Sequence, residues 1–221
     1  MIAIIPSLNA ERTLANVVAA TKQQIPNVVV IDDGSSDRTG DVAREAGALV
    51  LRHEVNRGKG AALKTGFDYA LSVGHEAVIT LDADGQHLPG EIPKFIAEWE
   101  KSRADLIIGG RAHLFQHMLP RRRNANRFSA WSISKAAGVP VADSQSGFRL
   151  YSANLLRKLK LRADGFDMES EVIVRAGRGG LKVVTIPIEL GFVDGIATSH
   201  YKPLKDTMRI AWTVTRTRFL G

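Results

Sequence analysis

Short apolar runs alternate with helix-like stretches through the first half of this 221-residue chain, and that order constrains the fold more than any other feature. Residues 2–5, 28–31, 48–51, 77–81 and 105–109 are rich in Val, Ile, Leu and Ala and read as buried strands. Between them, 11–24, 37–46, 60–73 and 89–101 carry apolar residues at helical spacing, as with Leu63, Phe67, Ala70 and Leu71. Such an order predicts an α/β fold, with a mostly parallel central sheet and helices on both faces. The hydrophobic fraction of 44% is ample for its core. The second half is less regular. Residues 111–126 read as a mobile loop running into a helix, 146–151 and 181–186 as strands, and 169–178 and 203–219 as helices. Without repeats or a linker, one domain over 1–221 is expected, with a nucleotide-binding half at 1–110 and an acceptor-binding half at 111–221 that ends in the C-terminal helix.

Composition narrows the chemistry. There is no cysteine, which removes disulfides and thiolate metal sites. No apolar run approaches the roughly 18 residues of a membrane span, and the start lacks the basic stretch of a signal peptide. A cytoplasmic location is therefore expected, with a peripheral place at the inner face of the membrane for a lipid-linked acceptor. The formal charge of +7 favours phosphate-bearing partners. Cations gather at Arg121, Arg122, Arg123 and Arg127, and again over Lys202, Lys205, Arg209, Arg216 and Arg218. Without interleaved aromatic and basic residues, a nucleic-acid surface is not expected.

In a parallel sheet the loops after the strands converge on one edge. Here four such loops are polar: 6–11, 32–39, 56–60 and 82–84. The last, Asp82-Ala83-Asp84, delivers two carboxylates one residue apart at a strand end. Both can face one hard cation, Mg²⁺ or Mn²⁺, that also takes substrate phosphate. Asp33 is placed to accept from a base N–H or a ribose hydroxyl. Ser36 or Asp37 suits an N-cap. Lys59 suits pairing with a carboxylate or phosphate, and its loop equally suits packing. No glycine spacing matches a phosphate-binding loop of ATPases or a dinucleotide fingerprint.

Five ordered motifs carry a resemblance: Pro6-Ser7-Leu8-Asn9, Asp32-Asp33-Gly34-Ser35, Asn56-Arg57-Gly58-Lys59-Gly60, Asp82-Ala83-Asp84-Gly85-Gln86 and Ser146-Gly147-Phe148-Arg149-Leu150-Tyr151. The set resembles the family 2 glycosyltransferases, and within them the dolichyl- and polyprenyl-phosphate sugar synthases. The resemblance implies a GT-A fold, a nucleotide-sugar donor, a divalent metal, inversion at the anomeric carbon and a polyprenyl-phosphate or other lipid-linked acceptor. The alternatives are a non-lipid hydroxyl acceptor and an inactive homologue that binds lipid or nucleotide. By motif, Pro6, Leu8, Ile31 and Asp33 would line the nucleotide pocket. Asp82 and Asp84, with Ala83 between them, would reach the diphosphate through the metal, and Gln86 would be a further ligand. Arg111 would meet donor or acceptor phosphate. Ser146, Gly147, Phe148 and Arg149 would shape the acceptor side. Asp143 is the candidate base for a hydroxyl acceptor, which with Asp84 and Arg111 completes the expected catalytic set.

The chain departs from the synthases in two places. They show Asn-Glu in the first loop, where this chain has Asn9-Ala10-Glu11. Glu11 either substitutes for the acid or favours the first helical turn. They also carry an Arg and a Ser-Lys pair near the end, where 194–203 offers only His200 and Lys202 as cations toward the diphosphate. The helix over 203–219 suits either an interfacial role or packing on the sheet. A sugar nucleotidyltransferase is disfavoured, because the first loop has neither Gly nor Lys.

Overall fold

The computed structural model describes residues 1–117, 120–191 and 203–220, with backbone alone at 115–117, 120–122, 125, 203–209 and 219–220. The described strands are β1 (Ile2–Ser7), β2 (Val28–Asp32), β3 (Leu49–Arg52), β4 (Ala77–Thr80), β5 (Leu106–Gly110), β6 (Arg149–Ser152) and β7 (Val183–Pro187). They form one sheet in the order β3-β2-β1-β4-β6-β5-β7. Every pairing is parallel except those of β6, which runs antiparallel to both β4 and β5. That reversal matters for the site. The residues leading into β6 arrive at the edge where β4 and β5 end, so the register Thr80↔Arg149 puts the 143–148 loop beside Asp82–Asp84.

Helices cover both faces: α1 (Leu14–Lys22), α2 (Thr39–Glu45), α3 (Lys59–Ser72), α4 (Ile92–Ser102), α5 (Pro120–Ala137), α6 (Ala153–Lys158), α7 (Asp167–Arg178) and α8 (Pro203–Leu220). Side-chain alternation along each strand divides the core in two. Ile2, Ile4, Val29 and Ile31 pack with Leu63 and Phe67 of α3 and Met168 and Val172 of α7. Ala3, Ile5, Val28 and Val30 pack on the other face with Leu14 and Val18 of α1 and Phe95 of α4.

The structure lengthens one expected element and adds another. The stretch expected as a loop running into a helix is a 3-10 turn (Ala112–His117) followed by α5. The helix runs on to Ala137 because Ala130, Ile133, Ala136 and Ala137 form a narrow buried stripe along it. The short α6 has no periodic signal. It starts where Ser152 Oγ accepts from the Leu155 N–H at 3.0 Å, an N-cap. α8 packs on the body: Ile210, Thr213 and Thr217 are buried, and Thr213 Oγ1 donates to Asp167 Oδ2 at 2.7 Å. Trp212 faces outward. Among the described residues, no helix is long and apolar enough to cross a membrane.

Candidate active site

A cleft of about 310 Å³ opens at the C-terminal ends of β1, β2 and β4. Pro6, Leu8, Glu11, Asp33, Asp82, Ala83 and Asp84 all line it, together with Lys59 and Phe166. Ile31 does not; it is fully buried in the core layer with Leu63 and Phe67 of α3. His200 and Lys202 lie outside the described residues.

The cleft wall is a set of cross-linked loops. Asn9, held at φ 51, donates its N–H to Ser35 Oγ at 3.0 Å and accepts from the Ser36 N–H at 2.9 Å. Glu11 accepts from the Arg38 N–H at 3.1 Å, and Asp37 accepts from the Glu11 N–H at 3.2 Å. Glu11 therefore ties the first loop to the start of α2, where its charge also favours the helix N-terminus. Asp32 accepts from the Ser35 N–H at 2.9 Å. Asp33 lines the cleft yet is only 3% exposed. Its carboxylate accepts from the N–H groups of Arg57 (3.0 Å) and Gly58 (2.8 Å) and meets His53 Nδ1 at 2.6 Å. Its first task is thus to hold the 53–58 loop. The glycines of that loop serve packing. Gly58 sits at φ 98, and a Cβ there would lie 2.5 Å from the Asp164 carbonyl oxygen.

The carboxylate pair is held from below. Thr13 Oγ1 donates to the Ala83 carbonyl at 2.6 Å, and Asp84 Oδ1 accepts from the Gln86 N–H at 2.9 Å. The Asp82 N–H donates to His87 Nδ1 at 3.0 Å, inside a buried site where the imidazole lies against Phe148. Burial pushes the His87 pKa down, so the ring is neutral and its Nδ1 stays an acceptor. Asp82 itself pairs with Lys59 Nζ at 2.6 Å. Burial alone would raise the Asp82 pKa, but the surrounding cationic groups, Lys59 foremost, together outweigh it and hold the carboxylate well below its ordinary range. Lys59 also pairs with Glu169 of α7 at 3.0 Å. Burial opposes the charge on Lys59, and the two carboxylates reverse that and raise its pKa.

Asp143 and Arg111 form a second buried pair. Arg111 Nε donates to Asp143 Oδ2 at 2.7 Å and Nη2 to Oδ1 at 3.3 Å, and the N–H groups of Arg111 and Gln145 add 3.2 and 3.0 Å bonds. Burial tends to raise the Asp143 pKa, yet the guanidinium and these donors leave it lowered. A carboxylate so engaged is a weak proton acceptor. This geometry suits Asp143 to position Arg111, in place of the base expected from the sequence.

The expected acceptor residues are built into the scaffold. Ser146, Phe148 and Arg149 are fully buried. Phe148 stacks on Phe95 with ring centroids 4.5 Å apart. Arg149 spends its donors on the carbonyls of Ser146 (2.7 Å), Glu169 (2.7 Å) and Ser144 (3.0 Å). Gly147 alone reaches the charged cluster, by its missing side chain. A Cβ there would meet Lys59 Nζ at 2.8 Å and Asp82 Oδ1 at 3.0 Å. Glu169, Phe166 and His87 were not singled out from sequence. Glu169 and Phe166 lie a hundred residues and more from Lys59, and no local spacing flags them.

A divalent cation fits this donor set in one way. Among the described residues, no three His, Asp or Glu side chains converge. Asp82 and Asp84 supply hard oxygen donors, and phosphate oxygens and water would complete the shell, as suits Mg²⁺ or Mn²⁺. A second, wider groove of about 1010 Å³ runs between α5 and β7. Ala112 and Ala142, next in sequence to Arg111 and Asp143, line it together with Arg123, Arg127 and Trp131.

Comparison with known proteins agrees with this architecture. The profile described as Glycosyl transferase family 2 matches residues 2–160. An uncharacterised protein of Methanocaldococcus jannaschii is 34% identical, over 84% of this chain and 79% of that one. The UDP-N-acetylglucosamine–dolichyl-phosphate N-acetylglucosaminyltransferase of Methanococcus voltae is 30% identical, over 84% of this chain and 83% of that one. The polyprenol monophosphomannose synthase of Mycolicibacterium smegmatis is 31% identical, over 84% and 75% respectively. Among solved structures, glucosyl-3-phosphoglycerate synthase from Mycobacterium tuberculosis, in complex with phosphoglyceric acid, superposes with a TM-score of 0.74 at 20% identity, covering 99% of this chain and 80% of that one. The fold is the α/β fold of the GT-A glycosyltransferases, and the chain belongs to glycosyl transferase family 2, a family of sugar-transferring enzymes.

Proposed function

We propose that this enzyme transfers a sugar, with inversion, from a nucleotide-diphosphate donor bound in the first cleft to a phosphate-bearing acceptor that approaches from the second groove. The observation that carries the donor reading is the shared wall of the first cleft, where Pro6, Leu8, Glu11 and Asp33 face the carboxylates of Asp82 and Asp84. The same-fold synthase of M. tuberculosis has been crystallised with Mn²⁺ and UDP-glucose, at a TM-score of 0.70 and 21% identity. In this reading residues 1–110 form the donor half and 111–221 the acceptor half. Asp82 and Asp84 would hold Mg²⁺ or Mn²⁺, with Gln86 proposed as a further ligand. The metal supplies positive charge against the departing diphosphate. Arg111, held in place by Asp143, presents a second fixed cation near Asp82, where electrostatic stabilisation of developing charge is most effective. His200 and Lys202 are proposed as further cations toward the diphosphate.

Two acceptor classes have support. The relatives named for dolichyl-phosphate and polyprenol monophosphate chemistry favour a lipid phosphate. The engagement of Asp143 agrees, because a phosphate acceptor is already anionic and needs little base catalysis. Exposed Phe128 and Trp131, with ring centroids 5.9 Å apart, and the Arg123 and Arg127 that line the groove with Trp131 would then face an anionic lipid surface. The fold likeness to a synthase crystallised with phosphoglyceric acid favours a small, non-lipid phosphorylated acceptor. A panel of nucleotide sugars, scored by thermal shift with Mn²⁺ and then with EDTA, tests the donor. Metal-dependent stabilisation by one donor is expected, and indifference to all of them would overturn the reading. Turnover of that donor with a short polyprenyl phosphate and with 3-phosphoglycerate then separates the two acceptor classes.

A further inference from the structure

The Lys59 ammonium occupies an oxygen that the metal would use. Its Nζ lies 2.6 Å from Asp82 Oδ1 and 3.0 Å from Glu169 Oε1, with the Phe166 ring centroid at 5.6 Å. The Lys59 side chain is 15% exposed and that of Glu169 is 7% exposed, so this is a poorly solvated cluster and not a surface pair. Three distant parts of the chain meet there: the first residue of α3, the loop after β4, and α7. Gly147 leaves the room, since a Cβ at that position would lie within 2.8–3.0 Å of all three charged groups.

An ammonium and a divalent cation cannot both sit on one carboxylate in such a site without strong like-charge repulsion. Lysine, a point charge on a flexible stem, can withdraw where the rigid arginine fork could not. Glu169 gives it an anion to withdraw to. From this geometry we infer that Lys59 is an internal counter-ion that competes with the divalent cation for Asp82, and that Glu169 is the position to which it retreats. The inference rests on the reading that Asp82 and Asp84 receive the cation. Lys59 and Glu169 then act as positioning residues that set how tightly metal binds before any nucleotide arrives.

The test is a titration of Mn²⁺ alone, with free Mn²⁺ followed by electron paramagnetic resonance, on the full chain and its variants. Lys59→Met is expected to bind Mn²⁺ roughly tenfold more tightly than the wild type, because one charge-assisted competitor is gone. Glu169→Gln is expected to bind several-fold more weakly, because the ammonium then rests on Asp82 alone. In the double variant the weakening by Glu169→Gln disappears. Lys59→Met no tighter than the wild type overturns the inference. So does a Glu169→Gln effect that persists without Lys59, which would mark simple loss of nearby negative charge. If Lys59→Met fails to fold, Lys59→Gln replaces it in the same single and double variants, and equal or tighter binding by Glu169→Gln overturns the inference in any case. Asp84→Ala separates the two levels. If it loses Mn²⁺ while Lys59→Met matches the wild type, only the counter-ion fails. If it binds Mn²⁺ as the wild type does, the metal reading fails with it.

Discussion

Replacing Asp143 by Asn tests how firmly the Asp143–Arg111 pair is held. The wild-type carboxylate accepts four donors, three of them from Arg111, and its side chain is 1% exposed. Asparagine keeps one acceptor oxygen and turns an NH₂ group toward a guanidinium that also donates. At least two bonds to charged groups are lost, each contributing about 1.5–3 kcal/mol. Truncating one partner of a buried pair typically destabilises by about 3–5 kcal/mol. A loss of about 3 kcal/mol is therefore expected, and for a chain of this size that lowers Tm by about 6–12 °C. The pH dependence fixes the sign. The folded-state pKa of Asp143 is depressed, so the pair's contribution is complete above the unfolded value and is lost as pH falls through the folded one. Urea unfolding of wild type and variant should show a constant gap between about pH 7 and 5, shrinking below the ordinary aspartate value of about 3.9. A gap under about 1 kcal/mol, or one unchanged at the lowest pH where both fold, would refute the pairing argument.

Three further outcomes follow from the geometry. Asp84→Ala should abolish Mn²⁺-dependent donor binding while shifting Tm by only a few degrees, because the residue is part-exposed at a strand end; thermal shift with and without donor reads both. Gly58→Ala combines an unfavourable φ of 98 with a 2.5 Å approach to a backbone oxygen, so a destabilisation of about 1–3 kcal/mol is expected in chemical denaturation. Asn9→Gly keeps the left-handed backbone and loses the Ser36 bond, whereas Asn9→Ala loses both; alanine should be worse by about 1 kcal/mol, and equal stabilities would contradict it.

Much of this protein was legible in the chain alone, for a local reason. Strand runs such as 28–31 and helical spacings such as Leu63–Phe67–Ala70 are short-range patterns, and a parallel sheet sends its loops to one edge whatever their sequence. The Asp82–Asp84 pair at the end of β4 and the joining of the first two loops around Asn9 and Glu11 follow from that order. Other assignments depended on partners that no spacing announces. Motif reading gave Ser146–Arg149 to an acceptor, but the antiparallel insertion of β6 between β4 and β5 buries Phe148 against Phe95 and spends Arg149 on three carbonyls. Sequence alone made Asp143 a candidate base for a hydroxyl acceptor, and only the fold shows Arg111, just after β5, paired with it. Lys59, Asp82 and Glu169 lie on separate elements, and only the packing of α3 and α7 around Gly147 makes them one cluster. Periodicity decides which face of an element is buried. Which charges of the site are neutralised there, and so which remain for chemistry, is decided by long-range packing.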